Sequence, residues 1–424
     1  MEPIVVLQSF TCVLLLEHAH GSDNWNAYIS GIKEQISLLG VQEFPEKAGK
    51  QSGEHEPLVC PDMKPSPSVP DKANKVKPAD VKIIAALGDS VTAAAGANAT
   101  KLEEMYIEYR QLSWSIGGYG SFSDIITLPN IFKLFNPNII GYSTGETKIE
   151  KGVHWEKAGF NLAVSGAKSH ELTEQARQLI TILKGNPEIS FQNDWKVVTI
   201  FIGANDLCNY CRNKLMYSAE IIVSNMKTTL DILYKELPRA IINVVQIFWM
   251  EGVRDLSKGS ASCVLLKLLC PCVVEPEDNS LDFQELLEQN ALFQKKLEDL
   301  IHSNPFNKRK DFAVVLQPFL KKSRPSKDST GNMDYSYFTL DCFHFSIKGH
   351  EELAKGLWNN MFQSEGEKAE VKTFSEPLKL ICPSKDHPYI YIEKHNLDWN
   401  LASPMLHGSY LIILLILILE LEFL

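Results

Sequence analysis

The stretch IIAALGDSVTAAAG, from Ile83 to Gly96, starts as an uninterrupted apolar run and then breaks at Gly88. A short apolar run that ends in glycine is typical of a strand buried inside a parallel sheet. Glycine also permits a tight turn, which would present Ser90 at the end of the strand. These residues alone leave two interpretations of Ser90 open: a turn or helix-capping residue, or a nucleophile held at the edge of a sheet.

The same kind of apolar run recurs along the chain and alternates with helical patterns. The predicted strands are Val81–Leu87, Phe160–Val164, Val197–Ile202, Ile241–Trp249 and Phe312–Gln317. Amphipathic helical patterns occupy Leu172–Leu183, Ile222–Leu233, Leu281–His302 and Leu353–Met361. Strands that alternate with helices predict an α/β fold, a three-layer sandwich with a mostly parallel sheet flanked by helices.

Two of the predicted strands are followed by turns that contain glycine or asparagine. FNLAVSGAKS places Gly166 after the second strand, and VVTIFIGAND places Asn205 after the third. The backbone N–H of Gly166 and the side-chain amide of Asn205 are able to donate to a developing oxyanion, although both residue types are also common in structural turns. Because the carboxyl ends of parallel strands meet at one edge of a sheet, we expect these groups near Ser90.

The segment DCFHFSIKGHEELAKGLW places Asp341 and His344 just before a predicted helix, with two residues between them. This spacing lets a carboxylate orient the imidazole while the other ring nitrogen faces a hydroxyl. His350 lies at the start of the helix and is predicted to face solvent. Asp89 is interpreted as a supporting turn residue, and Asp206 as a cap or structural partner.

The order of these groups, serine, glycine, asparagine and then Asp-x-x-His, resembles the GDSL, or SGNH, family of serine hydrolases. The resemblance implies a flavodoxin-like α/β fold in which Ser90 is the nucleophile, His344 is the base and Asp341 is its partner. It also implies an oxyanion hole formed by the N–H groups of Ser90 and Gly166 and the side chain of Asn205. No metal and no cofactor are expected.

Within this family the chain is most similar to a membrane-associated, lipid-hydrolysing member built from tandem repeats. The similarity runs from about Cys60 to about Pro383. Such a repeat reads G-D-S-L-T-A-G-N-G, whereas this chain has Val91, Ala94 and Ala95 in place of the leucine, glycine and asparagine. These changes spare the catalytic groups, but we expect them to stiffen or reshape the turn that follows the serine.

The resemblance implies a serine ester hydrolase that releases fatty acids from phospholipids and lysophospholipids, acting at a membrane surface. A catalytically weak repeat with a structural or lipid-binding role is the alternative from another class, and an esterase for acetylated sugars is a third hypothesis. A net charge of -10 argues against a nucleic-acid partner and against purely electrostatic docking on anionic lipid. With 45% hydrophobic residues, the chain is able to bury a sizeable core.

Nine cysteines, several of them clustered, favour an oxidising compartment. The sequon N-A-T at 98–100 agrees with this and predicts a glycan. The chain is therefore expected in the secretory pathway, at the apical cell membrane or outside the cell. A disulfide between Cys208 and Cys211 is expected to steady the oxyanion loop. Free thiols, or a zinc site that also uses Cys270 and Cys272, are the alternatives.

Three parts are expected along the chain: an N-terminal segment over 1–59, an SGNH domain over 60–383 and a tail over 384–424. The first part contains Ile4–Leu16, which resembles the apolar core of a signal peptide but lacks a basic start. Cys60–Pro78 is rich in proline, serine and lysine and predicts a linker or an extended lead-in. The apolar run Tyr410–Leu419 is shorter than a membrane-spanning helix needs. It is interpreted as a shortened anchor, the end of a lipid-anchor signal or an irregular chain end.

Overall fold

Short apolar runs form the strands in the computed structural model, which describes residues 55–392 except 57, 150–154, 304 and 307. The strands of the described residues are β1 (Val81–Gly88), β2 (Ile107–Glu108), β3 (Thr147–Lys148), β4 (Trp195–Phe201), β5 (Ala240–Val245) and β6 (Phe312–Gln317). Every residue of β4 and β5 is buried. Such strands read as continuous apolar runs because helices cover both faces of a parallel sheet.

The main sheet is parallel throughout, with the strand order β1-β4-β5-β6. Strands β2 and β3 pair with each other in a separate, antiparallel sheet. In the main sheet Gly88 at the end of β1 lies opposite Phe201 at the end of β4. The turns that follow these two strands therefore meet at one edge of the sheet, as expected for an α/β fold. Strand β5 ends at Val245 rather than at Trp249, so the fourth predicted strand was too long.

The segment Phe160–Val164, predicted as a strand, lies along the outer edge of β1 without forming a regular ladder. Its bridge to β1 is the single pair of Ala86 and Asn161, and the Ala86 N–H donates to the carbonyl of Phe160 at 3.0 Å. The N–H groups of Leu162 and Val164 donate to the carbonyls of Ala86 and Gly88 at 2.9 and 3.2 Å, so the predicted segment lies beside β1 but does not form a regular strand. If the segment 160–164 is counted as a strand beside β1, the order along the sheet is 160–164, β1, β4, β5, β6. In chain order this is 2-1-3-4-5, the flavodoxin-like order.

All four predicted helical segments form helices. The α-helices of the described residues are α1 (Ser90–Ala93), α2 (Leu128–Phe135), α3 (Trp155–Ala158), α4 (Leu172–Gly185), α5 (Ala204–Cys208), α6 (Ala219–Glu236), α7 (Glu251–Gly259), α8 (Leu266–Leu269), α9 (Pro271–Val274), α10 (Leu281–His302) and α11 (Ile347–Met361). Four of the longer ones begin after a hydroxyl side chain that accepts an N–H of the first turn, namely Thr127, Ser218, Ser280 and Ser346. Such a cap satisfies an N–H group that has no partner inside the helix.

Helices form layers on the two faces of the main sheet. Helix α4 contacts β1 and α6, and α6 contacts α10, whereas α11 contacts β6 and α2. Leu179 of α4, Leu230 of α6 and Leu357 of α11 are fully buried. Burial of each such side chain contributes about 1.5–3 kcal/mol to folding. The predicted three-layer α/β sandwich is confirmed.

The lead-in Cys60–Pro78 packs against the sheet instead of forming a free linker. The indole N–H of Trp195, at the start of β4, donates to the carbonyl of Pro70 at 2.8 Å. A disulfide joins Cys60 to Cys382. The lead-in is therefore held to the fold by a hydrogen bond and, at its first residue, by a covalent bond.

The signal-like run Ile4–Leu16 and the apolar run Tyr410–Leu419 both lie outside the described residues. The domain limits at 60 and 383 stay predictions. Within the part of the chain that the structure describes, no helix is both long and apolar enough to cross a membrane.

Candidate active site

Ser90 lies where β1 turns into the short helix α1. A Cβ at Gly88, which closes the strand, would lie 2.4 Å from the carbonyl oxygen of Phe201, so this close approach requires glycine. Asp89 caps α1 by accepting the N–H of Val91 at 2.9 Å, which confirms its interpretation as a turn residue. Ser90 is the first residue of α1 and is 5% exposed. Because first-turn N–H groups have no acceptor within their helix, the Ser90 N–H is available to a ligand.

The side chain of Gln175 on α4 holds the end of β1, a role that sequence reasoning missed. Its Oε1 accepts the N–H of Gly88 and its Nε2 donates to the carbonyl of Gly88, both at 2.8 Å. Gln175 is buried, so water does not compete for these bonds. They fix the turn that presents Ser90. The signal in the sequence was a polar residue on the otherwise apolar face of a predicted helix.

Asp341 and His344 lie in a tight loop that precedes α11. The N–H of Thr339 donates to the carbonyl of His344 at 2.8 Å and closes the loop. Asp341 Oδ1 accepts the Thr339 hydroxyl at 2.6 Å and the N–H groups of Phe343 and His344 at 2.9 Å. These bonds hold the carboxylate so that its other oxygen faces the imidazole.

The structure brings Ser90, His344 and Asp341 into one chain of hydrogen bonds. His344 Nε2 lies 2.7 Å from Ser90 Oγ, and His344 Nδ1 lies 2.5 Å from Asp341 Oδ2. Burial by itself raises the pKa of Asp341, but the His344 ring and the hydrogen bonds lower that pKa to about 2. Burial likewise lowers the pKa of His344, and the Asp341 carboxylate more than offsets it, so this pKa lies above its usual 6.5. An ionised carboxylate and an oriented imidazole suit removal of a proton from the serine hydroxyl.

The two other predicted donors lie on neighbouring loops that are bonded to each other. Gly166, exposed and with a φ of 82°, belongs to residues 164–169, here called the glycine loop. Asn205, in the first turn of α5, donates through Nδ2 to the carbonyl of Ala167 at 3.0 Å. Asp206 accepts the N–H and the hydroxyl of Ser169 at 3.0 and 2.7 Å, which confirms it as a structural partner. An amide carries two N–H donors, so one Nδ2–H of Asn205 remains for a ligand.

A buried ion pair behind the glycine loop is a second feature that sequence reasoning missed. Arg110, 1% exposed, lies 2.8 Å from Glu108. Its guanidinium also donates to the carbonyls of Asn161 and Ala163 at 3.0 and 2.9 Å. Glu108 Oε1 accepts the hydroxyl of Ser165 at 2.6 Å. The pair therefore holds the backbone that leads into the glycine loop and one side chain of the loop itself. The sequence carried no signal for it, because charged residues usually lie on a solvated surface.

Asp89 and Asp206 lie near the site but take no part in the hydrogen bonds that join Ser90, His344 and Asp341. Burial raises the pKa of Asp89 to about 7, and its Oδ2 is buried without a partner among the described residues. Burial also raises the pKa of Asp206. Among residues 55–392, as far as they are described, no group of three or more His, Cys, Asp or Glu side chains is placed to hold a metal ion.

His350 is buried, so the prediction that it faces solvent was wrong. It is 1% exposed, and its Nδ1 accepts the N–H of Trp114 at 3.3 Å. Burial lowers its pKa to about 3, so the ring is neutral at physiological pH. The reason is that α11 is buried on nearly all sides between the sheet and its neighbouring segments.

The predicted disulfide between Cys208 and Cys211 is also wrong. Cys208 is bonded to Cys270, and Cys211 to Cys272. Cys208 ends α5 and Cys211 lies in the separate 3₁₀ helix Tyr210–Arg212, and each is bonded to a different cysteine of the segment 270–272. The zinc alternative fails as well, because all four sulfurs are used in disulfides. The turn that carries Asn205 is nevertheless tied covalently to a neighbouring segment.

The turn after the serine has a left-handed residue at Ala94, the position where the resembling repeat has glycine. Ala94 ends α1 with a φ of 56° and a ψ of 45°, in the left-handed region. That conformation costs an alanine about 1–2 kcal/mol. Gly96, two residues later, has a φ of 64°.

Comparison with known proteins places the chain in a family. Residues 84–357 match GDSL-like Lipase/Acylhydrolase. "Phospholipase B1, membrane-associated" of Homo sapiens is 39% identical over 389 residues, which are 91% of this chain and 26% of that protein. The protein of the same name from Mus musculus is 40% identical over 351 residues, 82% of this chain and 24% of that protein. The chain thus spans about a quarter of the length of these relatives, in agreement with the expected similarity to one repeat.

Among solved structures, phospholipase A1 from Streptomyces albidoflavus NA297 is 13% identical, over 64% of this chain and 94% of that chain, with a TM-score of 0.28. A likeness at this level supports no argument about function. The match over residues 84–357 contains the serine turn, the glycine loop, the Asn205 turn and the loop of Asp341 and His344. The chain belongs to the GDSL-like lipase/acylhydrolase family of carboxylic ester hydrolases.

Proposed function

We propose that the chain releases fatty acids from phospholipids and lysophospholipids through an acyl-enzyme formed on Ser90. The observation that carries this proposal is the hydrogen-bonded order of Ser90 Oγ, His344 and Asp341, with distances of 2.7 and 2.5 Å. The names of the relatives support phospholipids as the substrate class.

In this mechanism His344 Nε2 takes the hydroxyl proton while Ser90 Oγ attacks the ester carbonyl carbon. Asp341 keeps the ring oriented and stabilises its charged form. The oxyanion faces the Ser90 N–H, the Gly166 N–H and the free Nδ2–H of Asn205. His344 then gives its proton to the leaving alcohol, which departs as a lysophospholipid or a glycerophosphodiester. Water, activated by the same ring, attacks the acyl-enzyme and releases the fatty acid.

The place of action we propose is a membrane surface on the extracellular side of the secretory pathway, including the apical cell membrane. Eight cysteines paired in four disulfides support an oxidising compartment. Asn98 is exposed, which is compatible with the predicted glycan. Nothing in the charge balance favours a nucleic-acid partner, since the net charge is -10.

A second candidate is a catalytically weak repeat that binds lipid or serves structure. The low exposure of Ser90, 5%, favours it, because an ester must reach that hydroxyl. A fluorophosphonate probe separates the candidates. Labelling of the wild-type chain, and none of Ser90→Ala, supports the enzyme, whereas a folded wild-type chain that resists the probe supports the weak repeat.

The decisive assay measures fatty-acid release from phosphatidylcholine and lysophosphatidylcholine in the presence of a chelator. We expect release by the wild-type chain and by the control Ser123→Ala, which changes an exposed serine. Ser90→Ala should release none above background. Deacetylation of an acetylated sugar without any release from lysophosphatidylcholine would instead support the sugar-esterase hypothesis.

A further inference from the structure

One residue between the proposed base and its carboxylate partner has an unusual backbone conformation. Cys342, which lies between Asp341 and His344, has a φ of 58°, in the left-handed region. This region is uncommon for residues other than glycine, asparagine and aspartate. Relative to glycine, it costs a residue with an ordinary side chain about ten-fold in population. An outlier of this kind inside a functional loop indicates a local role for the conformation.

The left-handed residue lies at the turn of a hairpin-like loop, residues 338–345, here called the histidine loop. Phe338 and Phe345 form an antiparallel bridge at its base, and their rings stack with centroids 5.5 Å apart. The N–H of Cys342 donates to the carbonyl of Thr339 at 3.2 Å. The base of the loop is therefore fixed by pairing, and its direction changes at residue 342.

The turn at Cys342 determines where the residues after it point. The N–H groups of Phe343 and His344 both donate to Asp341 Oδ1 at 2.9 Å, so the chain folds back over the carboxylate directly after residue 342. A different φ at Cys342 would turn these two N–H groups away from Asp341. It would also move the His344 ring, because the ring follows the backbone of its own residue.

A disulfide holds Cys342 from outside the histidine loop. Its partner Cys263 lies in a short helical segment just after α7, 79 positions earlier in the chain. Both cysteines are almost completely buried. Leu265, two residues after Cys263, belongs to the same buried apolar cluster as Leu340 of the histidine loop and Ala94 of the serine turn. The disulfide therefore anchors the loop to a packed part of the fold.

The anchoring segment is itself tied to the oxyanion side of the site. Cys263 is the first of three disulfide-bonded cysteines in the segment 263–272. The other two, Cys270 and Cys272, join the segment to the end of α5 and to the residues just after it. Helix α5 carries Asn205 in its first turn. One short segment thus links the histidine loop covalently to the proposed oxyanion donor.

We propose that the disulfide between Cys342 and Cys263 positions the proposed base. By holding residue 342 in the left-handed conformation, it directs His344 toward Ser90. This inference rests on the proposed function, since it takes Ser90 as the nucleophile. The disulfide acts through the histidine loop and not on the substrate. Its loss should therefore change the rate of proton transfer more than the binding of the ester.

The test separates the backbone conformation from the covalent bond. Cys263→Ala/Cys342→Ala and Cys263→Ala/Cys342→Gly both lack the disulfide, but only glycine adopts a positive φ freely. We expect the alanine pair to lower kcat for p-nitrophenyl acetate about ten-fold, with little change in KM. The glycine pair should stay within about two-fold of the wild type, because glycine populates positive and negative φ about equally. The control Cys60→Ala/Cys382→Ala, which removes the disulfide of the lead-in, should keep the wild-type kcat.

The pKa of His344 gives a second readout, which a purely structural disulfide would leave unchanged. The titratable groups that interact with the ring are Asp341 of the same loop, Asp89 of the serine turn and the neutral His350 of α11. In the alanine pair a displaced loop weakens the contact with Asp341, so the pKa of His344 should fall toward 6.5. The glycine pair should keep the raised pKa. NMR titration, with the signal identified by its absence in His344→Gln, measures this without turnover.

Equal kcat values, or equal titrations of the ring, in the two pairs overturn the proposal, because the disulfide would then serve the fold alone. If the alanine pair does not fold, Cys263→Ala/Cys342→Asn takes its place, since asparagine tolerates the left-handed conformation better than alanine but less well than glycine. Its kcat should then lie below that of the glycine pair, and equality again overturns the proposal. A wild-type chain that hydrolyses no ester contradicts the proposed function instead, and the titration still decides the role of the disulfide.

Discussion

His344 Nδ1 lies 2.5 Å from Asp341 Oδ2, and both side chains are almost completely buried. Burial alone would favour a neutral carboxyl, yet its hydrogen bonds and the ring beside it keep the pKa of Asp341 at about 2. The retained negative charge is what raises the pKa of His344 above 6.5. Above the raised pKa of His344, the carboxylate is charged and the ring is neutral, the state that proton abstraction from serine requires.

The first prediction concerns pH. We expect kcat/KM for a soluble ester to fall as the pH drops through the raised pKa of His344, because only the neutral ring accepts the serine proton. Asp341→Asn should move this acidic limb to lower pH, since the charge that raises the histidine pKa is gone. It should also lower kcat by about 10⁴-fold, as the equivalent change does in serine proteases. Rate profiles of both forms over pH test this.

Asp89 supplies the control for that profile, because a carboxyl group with a pKa of about 7 would also produce an acidic limb. Asp89→Asn keeps a side-chain oxygen for the cap on Val91 and removes the titration. The acidic limb should persist in this variant. Its disappearance would assign the limb to Asp89 and contradict the assignment to His344.

The second prediction concerns the oxyanion. Asn205→Ala should lower kcat about 10²- to 10³-fold with little change in KM, because a donor to the developing charge acts mainly in the transition state. Asn193→Ala is the control: Asn193 is exposed and lies before β4, at the opposite edge of the sheet. Steady-state kinetics with a soluble ester measure both. A rise in KM with no change in kcat would show instead that Asn205 binds the substrate in its ground state.

The third prediction concerns the ion pair of Arg110 and Glu108. Arg110→Met leaves the Glu108 carboxylate buried without its partner and should lower the free energy of unfolding by about 3–5 kcal/mol. Adding Glu108→Leu removes the stranded charge and should restore most of that stability. It should not restore kcat, because the carbonyls of Asn161 and Ala163 and the hydroxyl of Ser165 stay without their partners. For the wild type, the single variant and the double variant, urea denaturation measures the free energy of unfolding, and hydrolysis of a soluble ester measures kcat.

If the double variant recovered kcat together with stability, the ion pair would serve the fold alone. If stability returned while kcat stayed low, the pair would be a positioning device for the glycine loop.

The fourth prediction concerns the disulfide that ties α5. Cys208 and Cys270 are 62 residues apart, and closing such a loop contributes about 4 kcal/mol to stability. Replacing both with alanine should cost that much and should also lower kcat, because α5 carries Asn205. The paired replacement of Cys60 and Cys382 is the control, since it should lower stability without a matching fall in kcat. Thermal unfolding and ester hydrolysis of the two forms distinguish them.

The layered fold could be predicted because its signals are local. Apolar runs such as Val81–Leu87 and helical periodicity such as Leu172–Leu183 depend on neighbours within a few positions, and both predictions were confirmed. Phe160–Val164 lies beside β1 as predicted but pairs with it through a single bridge and is not a regular strand, a difference that an apolar run alone does not reveal. His350 was misplaced because its helix packs inward on nearly every side.

The sequence by itself determined which residue types follow which apolar segment, and it predicted that a serine, a glycine, an asparagine and an Asp-x-x-His segment would lie at one sheet edge. Only the tertiary structure decided how the cysteines pair and that Gln175 and Arg110 hold the serine turn and the glycine loop. The physical reason is distance along the chain: Ser90 and His344 are 254 positions apart. Contacts of that range depend on how whole layers pack, whereas strand and helix patterns depend on a few adjacent side chains.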